Sequence, residues 1–139
     1  MIRITEEMKR LVDSALEDGF PCILGTASPQ GEPSLSYRGS MMVFDNGSLA
    51  YWDRTQRAGL EHVEANPQVV VLYRNTKERK AWKFHGTAVA YRDGPIRVQV
   101  MARVVSKELE GDPDRKGIAV IIKLDRIMTL GGQVVQKSD

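Results

Sequence analysis

The chain has 139 residues, 42% of them apolar, with 20 Lys and Arg against 18 Asp and Glu, a net charge of +2. That is a single domain's length with enough apolar side chains for a core, and the charge excess is too small to mark a binder of nucleic acid or anionic membrane. One cysteine, Cys22, excludes an internal disulfide framework and a thiolate-only metal site; no apolar run nears the roughly 20 residues that span a bilayer, and Met1 to Lys9 lacks a signal-peptide core, so one cytoplasmic domain over residues 1–139 is expected.

Ile4, Met8, Leu11, Val12, Ala15 and Leu16 share one face at helical spacing, with Thr5 as N-cap, Glu6 and Glu7 on the first turn and Gly19 as a stop. Phe20 to Ser28 predicts a strand ended by the turn residues from Pro29 to Pro33. Ser34 to Asp45 predicts a second strand, and Asn46-Gly47 a tight hairpin into a third, Ser48 to Asp53. Thr55 to Ala65 predicts a short helix stopped by Asn66-Pro67. Val69 to Arg74 is β-branched and short, a buried strand. Lys80 to Arg92 alternates as a further strand, with Trp82, Phe84, Gly86, Ala88 and Ala90 in one register. Ile96 to Leu109 is read as a helix opened by Pro95, and Gly117 to Leu130 as the last strand. Six mainly antiparallel strands with three peripheral helices suit a small closed or split β-barrel.

Metal chemistry finds no pattern here. His62 and His85 lie on different elements, and no H-x-x-x-H, C-x-x-C or EF-hand spacing occurs. Cys22 sits in an apolar stretch that disfavours a thiolate, and there is no G-x-S-x-G elbow. No P-loop or G-x-G-x-x-G occurs either. One segment does suit an anion. Tyr51-Trp52-Asp53-Arg54-Thr55-Gln56-Arg57 runs from a strand into a helix start, where backbone N–H groups, a hydroxyl and two arginines converge. The same residues also describe a capped helix with solvated arginines. Arg38 adds weight, because an arginine within a barrel strand needs an anionic partner or open solvent. Gly39 and Ser40 leave little bulk beside it, and Tyr51 and Trp52 bring aromatic surface nearby.

Taken together, these residues resemble the pyridoxamine 5′-phosphate oxidase-like family of FMN-binding split barrels. The likeness runs along nearly the whole chain. It rests on Leu49-Ala50-Tyr51-Trp52, Thr55-Gln56-Arg57, Leu60 and Asn66-Pro67 before Val69-Val70-Val71-Leu72, then Trp82-Lys83-Phe84-His85-Gly86-Thr87-Ala88. It implies a mainly β, six-stranded antiparallel split barrel and a homodimer with FMN in a groove between subunits. Arg38 matches the strand arginine that meets the phosphate, with Thr55 and Arg57 as the turn's other phosphate ligands and Gln56 between them. Ser40, Met41 and Met42 match the strand beside the isoalloxazine ring, and Tyr51, Trp52 and Asp53 the strand end near the ribityl chain. Gln56 replaces a basic residue of the oxidases themselves, Val43 or Phe44 a lysine, and Gly131 to Asp139 lacks their substrate-binding Trp and Arg. The implied activity is therefore oxidoreduction through FMN with a small-molecule substrate or nicotinamide donor, rather than pyridoxamine phosphate oxidation. A deazaflavin reductase using Lys77, Arg79 and Lys80 for an anionic tail, and a flavin-binding module without turnover, are the alternatives. Lys83 and His85 are the proton-transfer candidates, on one face of their strand.

Overall fold

The computed structural model describes residues 1–54 and 58–139. Helix α1 (Glu6–Asp13) starts where the Thr5 hydroxyl accepts the Met8 N–H at 3.1 Å. It ends earlier than the apolar spacing predicts. Ser14 donates its hydroxyl to the Arg10 carbonyl, and a series of turns runs on to Gly19, whose φ is +84°.

Strands β1 (Cys22–Ala27), β2 (Pro33–Arg38), β3 (Met42–Asp45), β4 (Ser48–Asp53), β5 (Gln68–Asn75), β6 (Lys80–Tyr91), β7 (Ile118–Met128) and β8 (Val134–Lys137) form one sheet. Helix α2 (Ala58–Ala65) precedes β5, and α3 (Gly94–Arg103) and α4 (Ser106–Leu109) precede β7. The order is β2-β1-β5-β6-β7-β4-β3, with β8 pairing β7 beyond the end of β4, and every pairing is antiparallel. Among the described residues the path does not close, and β2 and β3 are its two ends.

Three expectations are corrected. The single strand over Ser34 to Asp45 is two, because β2 pairs with β1 and β3 with β4, so the chain crosses from one end of the sheet to the other at Gly39-Ser40-Met41. Continuing the β3–β4 register places Ser40 opposite Trp52. There its hydroxyl stands in for a backbone pair, accepting the Trp52 N–H at 2.9 Å and donating to the Trp52 carbonyl at 3.1 Å. The helix over Ile96 to Leu109 breaks at Val104 and Val105, both in extended conformation. The described residues form eight strands rather than six, one from the split of Ser34 to Asp45 and one from β8, which carries exposed Val134 and Val135 and no core-facing alternation to announce it. The helix over Thr55 to Ala65 is observed as α2; Thr55, Gln56 and Arg57 lie outside the described residues.

The sheet curls around a core that includes Leu24, Val71, Phe84 and Ile122, with Met8, Leu11 and Val12 of α1 packed into it. Cys22 is fully buried there, and burial together with the nearby Asp13 charge pushes its thiol up to about 12. A second cluster forms on the opposite face of β4 and β7, where Val100 and Val104 cover Ala50, Trp52 and Ala119. A bulge inserts Asp125 between Leu124, opposite Gly86, and Arg126, opposite His85. The extra residue shifts the alternation of β7, so Leu124 and Ile127 both enter the core while Arg126 faces outward.

The ends of the sheet differ. At β3 the Val43 N–H donates to the Asp13 carboxylate at 2.8 Å, and the Val43 and Phe44 carbonyls accept from Arg103. Side chains thus cover that edge. β2 instead leaves Leu35 and Tyr37 exposed on the sheet's outer face, 76% and 71% accessible.

Candidate functional site

Alternation along β4 sends Tyr51 and Asp53 into the barrel and Trp52 out beneath α3. The predicted residues therefore divide between two faces. On the inner face Arg38 and Asp53 meet, Nη1 to Oδ2, at 3.5 Å, their side chains 13% and 1% exposed. The Arg38 guanidinium lies 5.1 Å from the centre of the Tyr51 ring, and its Nε donates to the Ser36 hydroxyl at 3.2 Å. A Cβ on Gly59, in the first turn of α2, would stand 2.8 Å from Arg38 Nη2. Glycine there admits the guanidinium to the helix start.

The Tyr51 hydroxyl is buried with no hydrogen-bond partner among the described residues. Burial raises its pKa, with Asp53 adding to the rise and Arg38 opposing it. Tyr51→Phe is expected to leave stability unchanged or raise it by about 1 kcal/mol in thermal unfolding, because an idle buried hydroxyl carries only its desolvation cost. A loss of 1 kcal/mol or more would show that the hydroxyl is bonded in solution.

On the outer face Trp52 is 1% exposed. Its indole N–H donates to Asp112 at 2.9 Å, and Arg97 lies 4.8 Å from its ring centre. Asp112 also accepts the N–H groups of Lys116 and Gly117 at 2.9 and 2.8 Å. Burial would raise the Asp112 pKa, but these three hydrogen bonds and the Arg115 charge outweigh it and hold the carboxyl below its usual value. A Cβ on Gly117 would stand 2.2 Å from Trp52 Nε1, so the indole needs glycine there.

Sequence alone did not single out Asp112, Arg97, Gly59 or Gly117, whose partners are distant in the chain. The aromatic surface expected from Tyr51 and Trp52 is absent from the exterior, since the two rings are buried in separate layers. Met41 and Met42 are 4% and 5% exposed, in the inner and outer clusters respectively. Any contact from Ser40–Met42 and Tyr51–Asp53 to a bound molecule is left to their backbone. Beside them, on the surface, Arg54 Nε lies 3.8 Å from Glu108 of α4. Among the described residues no group of three or more His, Cys, Asp or Glu side chains is placed to hold a metal, and no helix is long and apolar enough to cross a membrane.

An antiparallel sheet curled around one core, open between its two end strands and covered by short helices, is a split β-barrel. The sequence matches the family model for pyridoxamine 5′-phosphate oxidase over residues 4–126, and the chain belongs to that family. No curated protein sequence matches it. Among solved structures, HupZ from Group A Streptococcus is 22% identical, with 96% of this chain and 99% of that one covered and a TM-score of 0.77. An FMN-binding protein from Syntrophomonas wolfei subsp. wolfei is 12% identical, with 96% and 89% covered and a TM-score of 0.69. An F420 reductase is 16% identical, with 83% and 94% covered and a TM-score of 0.58. At these identities the likeness is one of fold.

Proposed function

We propose that the chain binds FMN where β4 runs into α2 and serves as an FMN-dependent oxidoreductase. The position of Arg38 carries this reading. A cation packed against the first turn of a helix, where backbone N–H groups are already free, is favourable only with negative charge alongside. Asp53 supplies part of that charge inside the barrel. The phosphoryl group of FMN supplies the rest, and the sequence offers Thr55, Gln56 and Arg57 as its further ligands. The backbone of Ser40–Met42 and Tyr51–Asp53 borders the ring.

FMN, once bound, supplies hydride and electron transfer between a nicotinamide donor and a small-molecule acceptor. The chain grips, orients and shields it, in a cytoplasmic setting. Arg57→Ala is expected to weaken FMN binding by roughly 1.5–3 kcal/mol, the worth of a charge-assisted contact, read from quenching of flavin fluorescence. Unchanged affinity would place the phosphate elsewhere, and wild-type protein that FMN fails to colour would overturn the reading. Steady-state turnover with a nicotinamide donor separates an enzyme from a flavin-binding module.

The same barrel could hold a deazaflavin, and one observation favours that second reading. A groove of about 240 Å³ at the β5–β6 turn is lined by Arg74, Arg79 and Lys80, a basic surface suited to a long anionic tail. Parallel titrations with FMN and the deazaflavin distinguish the two.

The cofactor reading includes a homodimer. Tyr37, exposed, stands in one cross-strand row with half-buried Ile23 and Leu72 on the outer face of β2, β1 and β5. A wild-type monomer with flavin bound would sink the shared-groove arrangement.

A further inference from the structure

A second cross-strand row runs beside the first: Leu35, Gly25, Val70, His85 and Arg126, one residue from each of β2, β1, β5, β6 and β7. These residues line a groove of about 370 Å³ on the outer face, opposite the face that carries Arg38. Its character changes from end to end. Leu35 forms an apolar wall. Gly25 adds no side chain to the floor, and Val70 Cγ1 and Leu35 Cδ2 pack over it, 2.9 and 3.4 Å from where a Cβ would stand. His85 and Arg126 form the far end.

That far end is a pair of donors. Arg126 Nη2 lies 3.2 Å from His85 Nδ1. A guanidinium only donates, so Nδ1 accepts and the imidazole proton sits on Nε2. Arg126 Nη1 also meets the Asp125 carboxylate at 3.3 Å, which leaves further N–H groups on the guanidinium. The groove lining includes no carboxylate. The bulge at Asp125 is what turns Arg126 outward beside His85, and bulges recur where a side chain must be re-aimed for function.

We propose that this groove is a binding site for a flat, largely apolar monocarboxylate. The ring would lie over Gly25 and Val70 against Leu35, and its carboxylate would accept from Arg126 and from His85 Nε2–H. The site is separate from the flavin cradle and does not depend on it.

The probe is 2-naphthoate, titrated into full-length 15N-labelled protein, with 2-naphthalenemethanol as its uncharged analogue. Saturable amide shifts are expected at Gly25, Val70, His85 and Arg126, with the alcohol binding at least tenfold more weakly. Arg126→Gln should weaken the acid at least tenfold and leave the alcohol unchanged, while Arg126→Lys retains part of the affinity. Prior saturation with FMN should leave the titration unmoved. Each of four results overturns the proposal: no saturable shift, equal affinity for acid and alcohol, an unaffected Arg126→Gln variant, or displacement of naphthoate by FMN. Equal affinities would mark an adhesive apolar patch, and displacement would make the groove part of the flavin site.

Discussion

Gly86→Ala is expected to destabilise the protein by about 3 kcal/mol or more, among the largest effects a single methyl group can have. The new Cβ would stand 2.3 Å from the Lys123 carbonyl oxygen and 2.9 Å from the Lys123 carbonyl carbon and Ile122 Cγ2. Two of those three atoms are backbone, in the strand that pairs with both β6 and β4, so no rotamer change relieves the clash. Gly86 faces β7 at the bulge, where the two strands leave no room for a Cβ. For a domain of this size the loss corresponds to a fall in melting midpoint of roughly 10 °C. Gly47→Ala is the control. Nothing lies within 4 Å of its added Cβ, so its midpoint should stay put or rise slightly. Circular dichroism melts of the two variants make the comparison, and a Gly86→Ala midpoint within about 3 °C of wild type would mean that β6 and β7 are not so tightly apposed.

Arg38→Met is expected to lower stability by about 3 kcal/mol, the low end for breaking a buried ion pair, and to abolish measurable FMN binding. The first effect follows from Asp53, whose side chain is 1% exposed and loses a cationic neighbour. The second follows from the place of Arg38 against Gly59 at the start of α2. The two effects separate in the double variant Arg38→Met with Asp53→Leu. Replacing both members by apolar groups removes the buried carboxylate as well, so stability recovers in part, whereas FMN binding stays lost. Arg38→Met protein that melts like wild type would show that Asp53 does not rely on the pair. Arg38→Met protein that binds FMN normally would remove Arg38 from the phosphate grip.

Much of the fold was legible because local chemistry and tertiary structure agree there. Thr5 caps α1, Asn46-Gly47 turns the β3–β4 hairpin, and the apolar runs at β1, β4 and β5 fall within a residue or two of the observed strands. The misses arise where a distant partner decides. Residues Ser34 to Asp45 look continuous because nothing local says that the two halves pair with β1 and β4 respectively. The bulge at Asp125 answers to β6, not to β7's own residues. At the site, Arg38 could be picked out as an arginine in need of a partner. Its partner Asp53, and the separation of the Tyr51 and Trp52 rings into two layers, needed the strand alternation applied strictly. Asp112 and Gly117 were invisible, since a short acidic loop gives no hint that it closes over an indole far back in the chain.

The sealing of the β3 edge also bears on the order in which a nascent chain can be secured. Asp13, which takes the Val43 N–H, leaves the ribosome before β3, but Arg103, which takes the neighbouring carbonyls, emerges much later. The other flank of the same hairpin waits longer still, for β7. During synthesis β3 and β4 are therefore a hairpin with one edge half protected and the other bare. A lone hairpin is marginal in water, and long-range pairing of this kind forms slowly. The interval between the emergence of Asp53 and Ile118 is thus the period when strand-to-strand association between neighbouring polypeptides competes with folding.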